Sequence, residues 1–422
     1  MSVRKRTWTT GKGEQREAWI VDYVDQAGRR CIQTFERKKE ADAYHATVRV
    51  EVSEGTHTAR SRSQTVREAG EAWHATCERN GLERGTLDQY RDHLEHHIYP
   101  FLAAVKLSDL SAPFVREFQD KLLDGKPAPG ATEGKQRSPA LVKKVVGSLG
   151  SLLSDAQERG AVSRNVVRDL SSRRKRGSAK KAERRQRGKL KIGADIPAPA
   201  EIRSLVAKLS GRWRPIIMTA IFTGLRASEL RGLRWIDIDF ARNELHVRQR
   251  ADAYNEIGAP KSESGERTIP MPPILINTLR EWKLKCPRRD TGKKDGSGEP
   301  IKVLELVFPN GKGNIESLSN ILKRGLAPAM IAAGVTLSSK DEEGKEVVEA
   351  KYTGLHSLRH FYASWCINRR AEGGLELPLK VVSGRLGHST IAMTADVYGH
   401  LFPRGDDGAE LEAAERQLLA AT

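Results

Sequence analysis

Cysteine is scarce in this 422-residue chain. Cys31, Cys77, Cys286 and Cys366 lie far apart and form no CxxC pair. That argues against a disulfide scaffold or a cysteine zinc site, and a reducing, cytoplasmic setting is expected. Long apolar runs are missing too. No stretch approaches the roughly 18 apolar residues of a membrane-spanning helix. The opening MSVRKRTWTT carries charge without an apolar segment, so no signal peptide is expected. There is no repeat of solenoid length and no P-loop GxxxxGK[ST].

Acidic residues are in deficit. Lys and Arg number 72 against 54 Asp and Glu, a net charge of +18. Such an excess favours a polyanionic partner, with nucleic acid the first candidate. An anionic membrane is second, but no basic amphipathic helix supports it. A merely basic soluble protein is the plain alternative. At roughly 100–200 residues per domain, the length allows two to four domains.

The charge is uneven. Ser171–Lys191, SSRRKRGSAKKAERRQRGKLK, holds 11 Lys or Arg and one acid, a net +10. Too polar for a core, residues 171–195 read as a basic linker. Arg173, Arg174, Lys175, Arg176, Lys180, Lys181, Arg184 and Arg185 are its candidate DNA-binding residues, tracking phosphates by releasing counterions. A solvated tether is the alternative.

Residues 1–60 alternate apolar and polar in AWIVDYVDQAGRRCIQTF, with a hairpin turn expected at Gln26-Ala27-Gly28. KKEADAYHATVRVEV then reads as a helix. Arg4, Lys5, Arg6, Arg29, Arg30, Lys38 and Lys39 would suit a sheet laid in a DNA groove. Residues 64–170 read as four amphipathic helices. One of them, TLDQYRDHLEHHIYPFL, is expected to start at Thr86 and end before Pro100. Its His93, His96 and His97 read as a face toward DNA or plain surface rather than a metal site. Residues 196–405 mix helices with short strands. Pro287–Pro300 and Ser338–Ala350 read as charged surface loops. ELEAAERQLLAA, within 406–422, reads as a terminal helix.

Four pieces in the mixed region carry chemistry. In His356-Ser-Leu-Arg359-His360, helical spacing puts both imidazoles and the guanidinium on one face. That suits an anion, since Arg forks onto phosphate oxygens. Satisfied core histidines or a metal pair are the alternatives, the latter disfavoured by the adjacent Arg and the lack of an HExxH glutamate. In TGLRASEL, Gly224 ends an apolar helix, and Arg226 starts the next with Glu229 three residues on. By itself this is a common surface pair. In PKSESGERTIP, Lys261 lies near the tip of a polar turn, where a solvated lysine is the ordinary outcome. In RLGHSTIAMTADVYGH, Gly387 ends one helix, Ser389 is placed to cap the next, and His388 sits at the junction near a helix N-terminus. Tyr398 follows; a lone tyrosine is most often a packing residue.

Taken together, the order Arg, Lys, HxxRH, GH, Tyr resembles the tyrosine recombinase (phage integrase) family over roughly residues 64–405. The N-terminal module is similar to the arm-type DNA-binding domain of three-domain integrases, and the helical unit to their SAM-like core-binding domain. The resemblance implies a multidomain chain: a small α+β N-terminal module, an all-α core-binding domain and a mainly α (α+β) catalytic domain.

It also implies roles. Arg226 and Arg359 would clamp the scissile phosphate, with His356 and His388 bonding it or aiding proton transfer. Lys261 would protonate the leaving 5′ oxygen, and Tyr398 would form a 3′-phosphotyrosine. Glu229 and His360 would support them from behind. No metal or other cofactor is implied, and no carboxylate cage for Mg²⁺ is evident. The implied partners are double-stranded DNA attachment sites and three further copies of the chain. An excision factor and a DNA-bending protein are further candidates, and no membrane is involved. A cytoplasmic, nucleoid-associated recombinase of a phage or mobile element is the leading reading. A chromosome-dimer-type resolvase, a type IB topoisomerase or a non-cutting DNA-binding regulator are the alternatives. His400 receives no role.

Overall fold

A computed structural model describes residues 2–11, 13–25, 28–53, 62–173, 189–340, 344–402 and 407–420. The expected hairpin residues Gln26 and Ala27, and the linker cations Arg174 to Arg185, lie outside the described residues. The chain divides into two compact units, Met1–Ala179 and Lys180–Thr422.

The first unit opens with an antiparallel sheet, β1 (Ser2–Thr9), β2 (Gln15–Val24) and β3 (Arg30–Phe35), followed by helix α1 (Lys38–Ser53). Val21 and Tyr23 pack with Ala41 and Val48 of α1. Val3, Trp19, Cys31 and Phe35 line the same side. Because strand side chains alternate, the register puts Arg4, Arg6, Arg16 and Arg30 on the face away from the helix. Asp22 shares that face and binds both Arg4 and Arg30. Lys5 points the other way and pairs with Glu17.

Helices α2 (Val66–Arg79), α3 (Arg84–His93), α4 (Tyr99–Leu102), α5 (Ala112–Asp124), α6 (Pro139–Glu158) and α7 (Val166–Arg173) complete this unit. Thr65 and Glu68 form a capping box at α2, and Ser111 and Ser138 cap α5 and α6. Trp73, Ile98, Phe118, Leu149 and Leu152 are buried in one core.

Three expectations change here. The helix through Pro100 starts at Arg84, not Thr86, and does not stop before the proline. A π turn, Leu94–Ile98, restarts it, so Pro100 falls in a new first turn, where its missing N–H costs little. The three histidines are not one outer face: His93 is buried and hydrogen-bonds Ser148 Oγ at 2.8 Å, whereas His96 is exposed. The chain is also still helical at Ser171–Arg173, where linker was expected.

In the second unit, α8 (Pro199–Lys208), α9 (Trp213–Thr223) and α10 (Ala227–Gly232) precede a small sheet. That sheet joins β4 (Ile238–Asp239), β5 (Glu244–Val247) and β8 (Arg267–Pro270). A two-stranded ribbon, β6 (Arg250–Ala251) with β7 (Ile257–Gly258), lies between β5 and β8 in sequence. Helix α11 (Pro273–Lys285) follows. The two charged segments are hairpins rather than loops: β9 (Arg289–Lys294) with β10 (Pro300–Val303), and β11 (Thr336–Lys340) with β12 (Glu346–Ala350). Their backbone groups pair within each hairpin, so charged side chains do not prevent strand formation. Helix α12 (Ala327–Ala332) lies between the two hairpins. The chain continues through α13 (Leu355–Ile367), α14 (Leu379–Leu386), α15 (Ile391–Tyr398) and α16 (Asp407–Ala420). Ile217, Leu230, Leu275, Leu358 and Tyr362 are buried in its core. Among the described residues, no helix is long and apolar enough to cross a membrane.

Candidate active site

The site is built where the C-terminal ends of two helices meet at Arg359. Helix α9 ends at Gly224, whose φ of 61° is left-handed; a Cβ there would lie 2.5 Å from the Tyr362 ring. Helix α14 ends at Gly387 in the same conformation, φ 64°. A helix end leaves its last carbonyls without intrahelical donors and carries partial negative charge. Here arginines fill that need. Arg267 Nε donates to the carbonyl of Arg385 at 2.8 Å. Arg359 Nη2 donates to that of Leu386 at 2.5 Å, and Arg226 Nη2 to that of Gly387 at 3.0 Å. Three consecutive carbonyls thus gather three guanidiniums from distant parts of the chain.

The cations are held differently. Arg359 is 2% exposed, and its Nη1 also donates to Gly224 O at 2.7 Å. Burial and the nearby Arg226 charge pull its pKa down to about 10. Arg226 is the accessible one, its side chain 37% exposed. Its Nη1 donates to Glu229 Oε1 at 2.9 Å, and its backbone N–H to Oε2 at 2.8 Å. Glu229 is buried, so this is not the surface pair its spacing suggested. Burial pushes the Glu229 carboxyl up, but Arg267 and Arg226 outweigh that and hold it below the usual range.

The imidazoles surround Tyr398. His360 Nδ1 shares a 2.7 Å hydrogen bond with the Tyr398 hydroxyl. His356, exposed at the start of α13, sets its ring edge-on to His360 with centroids 4.6 Å apart. The His388 ring lies parallel to Tyr398, 6.5 Å away, with Nδ1 on Thr394 Oγ1 at 2.8 Å. Burial and adjacent cations lower the pKa of His360 and of His388 to about 4, so both imidazoles are neutral near pH 7. Tyr398 is 2% exposed, and burial lifts its pKa to about 12 against the pull of Arg359 and Arg226.

Thus Arg226, Glu229, His356, Arg359, His360, His388 and Tyr398 come together. Lys261 is exposed on the segment between β7 and β8, ahead of the turn Glu263–Gly265. Thr390, not Ser389, caps α15: its hydroxyl accepts from Met393 N at 3.3 Å, because the helix starts one residue later than expected. His400 lies outside the cluster and hydrogen-bonds Leu190 O at 2.7 Å. Arg267 is the residue that sequence reading passed over. Its only signal was an arginine just after the polar turn that carries Lys261.

Chemically, this is a pocket for an oxyanion flanked by a tyrosine hydroxyl. Fixed cations around a phosphoryl group stabilise charge that grows in a pentacovalent transition state. Among the described residues, no three His, Cys, Asp or Glu side chains form a group able to hold a metal.

Comparison with known proteins gives the class. Residues 197–404 match the phage integrase family, and residues 65–123 match the phage integrase N-terminal SAM-like domain. The chain belongs to the phage integrase family. It is similar to "Tyrosine recombinase XerC-like" of Caldanaerobacter subterraneus subsp. tengcongensis, 33% identical over 218 residues. That match spans 48% of this chain and 50% of the relative, so the chain covers about half of that relative's length. The Tn1549 transposon integrase, solved in complex with a circular intermediate DNA, shares the fold. Its TM-score is 0.56 at 18% identity, covering 84% of this chain and 99% of that one. A lambda integrase tetramer bound to a Holliday junction aligns with TM-score 0.50 at 15% identity, covering 91% and 95%.

Proposed function

We propose that the chain is a site-specific DNA recombinase that integrates or excises a phage or other mobile element. The carrying observation is the arginine cradle on the Arg385–Gly387 carbonyls, with Tyr398 in the same cluster. Arg226 and Arg359 bind the non-bridging oxygens of the scissile phosphate. His356 and His388 lie beside it as further donors. Tyr398 Oη attacks phosphorus to form a 3′-phosphotyrosine, and Lys261 protonates the departing 5′ oxygen. Tyrosine is a weak nucleophile near neutrality because its reference pKa is about 10. The cationic cluster lowers the barrier by stabilising the developing negative charge. The covalent bond conserves the phosphodiester energy, so neither ATP nor metal is required.

Strand exchange in two steps passes through a Holliday junction held by four copies of the chain. The tetrameric lambda neighbour supports this assembly. Helix α16 exposes Leu411, Leu418 and Leu419, an apolar set suited to docking on a neighbouring copy. The arginine face of the N-terminal sheet lies in a groove of arm DNA, the helical unit holds the core site, and the basic linker tracks phosphates between units.

The test is recombination with the purified chain. Two DNA fragments flanking its own coding sequence are mixed with it in EDTA and without ATP. Wild type is expected to join them and Tyr398→Phe to leave them unjoined. Joining by Tyr398→Phe would contradict the reading.

A further inference from the structure

Three imidazoles and Arg359 lie in the cluster around Tyr398, and of these only an imidazole nitrogen can accept its proton. Their geometry separates them. His388 spends Nδ1 on Thr394 and lies parallel to the tyrosine ring rather than on its oxygen. His356 touches His360, ring edge to ring, and stands at the exposed start of its helix. Arg359 has no proton-accepting atom, and two of its nitrogens already donate to carbonyls. Among the described residues, the hydroxyl's hydrogen-bond partner is His360 Nδ1, at 2.7 Å. That distance already meets the reach a general base needs, before any DNA arrives.

Resting on the recombinase reading above, we propose that His360, not His356, is the general base that takes the Tyr398 proton during cleavage. The proton passes from Oη to Nδ1 as the bond between Oη and phosphorus forms. The bond from phosphorus to the 5′ oxygen breaks, and that oxygen takes a proton from Lys261. In the rejoining direction His360 returns its proton to Tyr398. His356 is left to donate to a phosphate oxygen, which fits its exposed place on the same face of α13.

The surroundings suit the task. A base must be unprotonated at rest, and burial together with His356 and Arg359 keeps His360 neutral. Asp195 opposes them, favouring the imidazolium once the proton arrives. The groups facing His360 come from α13 (His356 and Arg359), from α15 (Tyr398) and from the segment before α8 (Asp195).

The test is single-turnover cleavage of a nicked DNA fragment from the flanking region, followed as protein–DNA adduct. His360→Asn keeps a polar atom near the Nδ1 position but takes no proton; His360→Gln is the second variant. Both are expected to cleave about 100-fold more slowly than wild type while binding DNA equally well. A 5′-bridging phosphorothioate at the scissile position supplies a leaving group that needs no acid. It is expected to restore Lys261→Ala and not the His360 variants. If both His360 variants cleave within about threefold of wild type, or if the phosphorothioate restores them, the proposal is overturned. If wild type itself forms no adduct, the recombinase reading falls, and this proposal with it.

Discussion

Arg267 closes a two-pronged ion pair on Glu229, with Nη1 to Oε1 at 3.1 Å and Nη2 to Oε2 at 2.8 Å, and both side chains are at most 5% exposed. The same carboxylate holds Arg226. A residue from β8 therefore sets the position of an arginine at the start of α10.

Replacing Arg267 by Met should leave Glu229 short of a partner in a buried place. Breaking such a pair costs roughly 3–5 kcal/mol, and the remaining Arg226 contact favours the lower end. Arg267→Lys should recover little, since an ammonium cannot fork onto both oxygens. Urea unfolding of the full chain measures this. A loss under about 1 kcal/mol would show that the pair contributes little.

Acid should loosen the second unit before its carboxylates titrate. His360 and His388 have folded pKa values near 4, below the ordinary 6.5. Both bind a proton more readily unfolded than folded. Their contribution is therefore complete above about pH 6.5 and lost as pH falls toward 4. The melting temperature should drop across that window, and less steeply in a His360→Asn, His388→Asn double variant. Equal slopes in the two proteins would contradict the assignment.

The linker should show itself in salt dependence. Neutralising Lys180, Lys181, Arg184 and Arg185 to Gln removes four candidate phosphate contacts. At about 0.9 per contact, the slope of log affinity against log salt should fall by up to about 3–4. Binding titrations between low and moderate salt measure it. An unchanged slope would make the segment a solvated tether.

Much of the site was legible because its chemistry needs particular side chains in particular strings. TGLRASEL, HSLRH and RLGHSTIAMTADVYGH name seven residues that the fold does bring together. What stayed hidden is carried by backbone or by burial. The carbonyls of Arg385, Leu386 and Gly387 leave no trace in residue type, and Arg267 looks like any arginine after a polar turn. His93 reads as surface in a polar helix until Ser148 meets it in the core. The charged hairpins escaped notice because backbone pairing, not side-chain alternation, makes them strands. At Pro100 the error was to treat the proline as a stop when a π turn supplies a fresh helix start.

The central claim is that Tyr398 becomes covalently joined to DNA. The most direct measurement traps that species on a nicked fragment of the flanking DNA without metal or ATP, then digests it and maps the modified peptide by mass spectrometry. The account predicts an SDS-resistant adduct carried on Tyr398 through a 3′ phosphate, absent from Tyr398→Phe. An adduct on another residue, or one that persists in Tyr398→Phe, would contradict it.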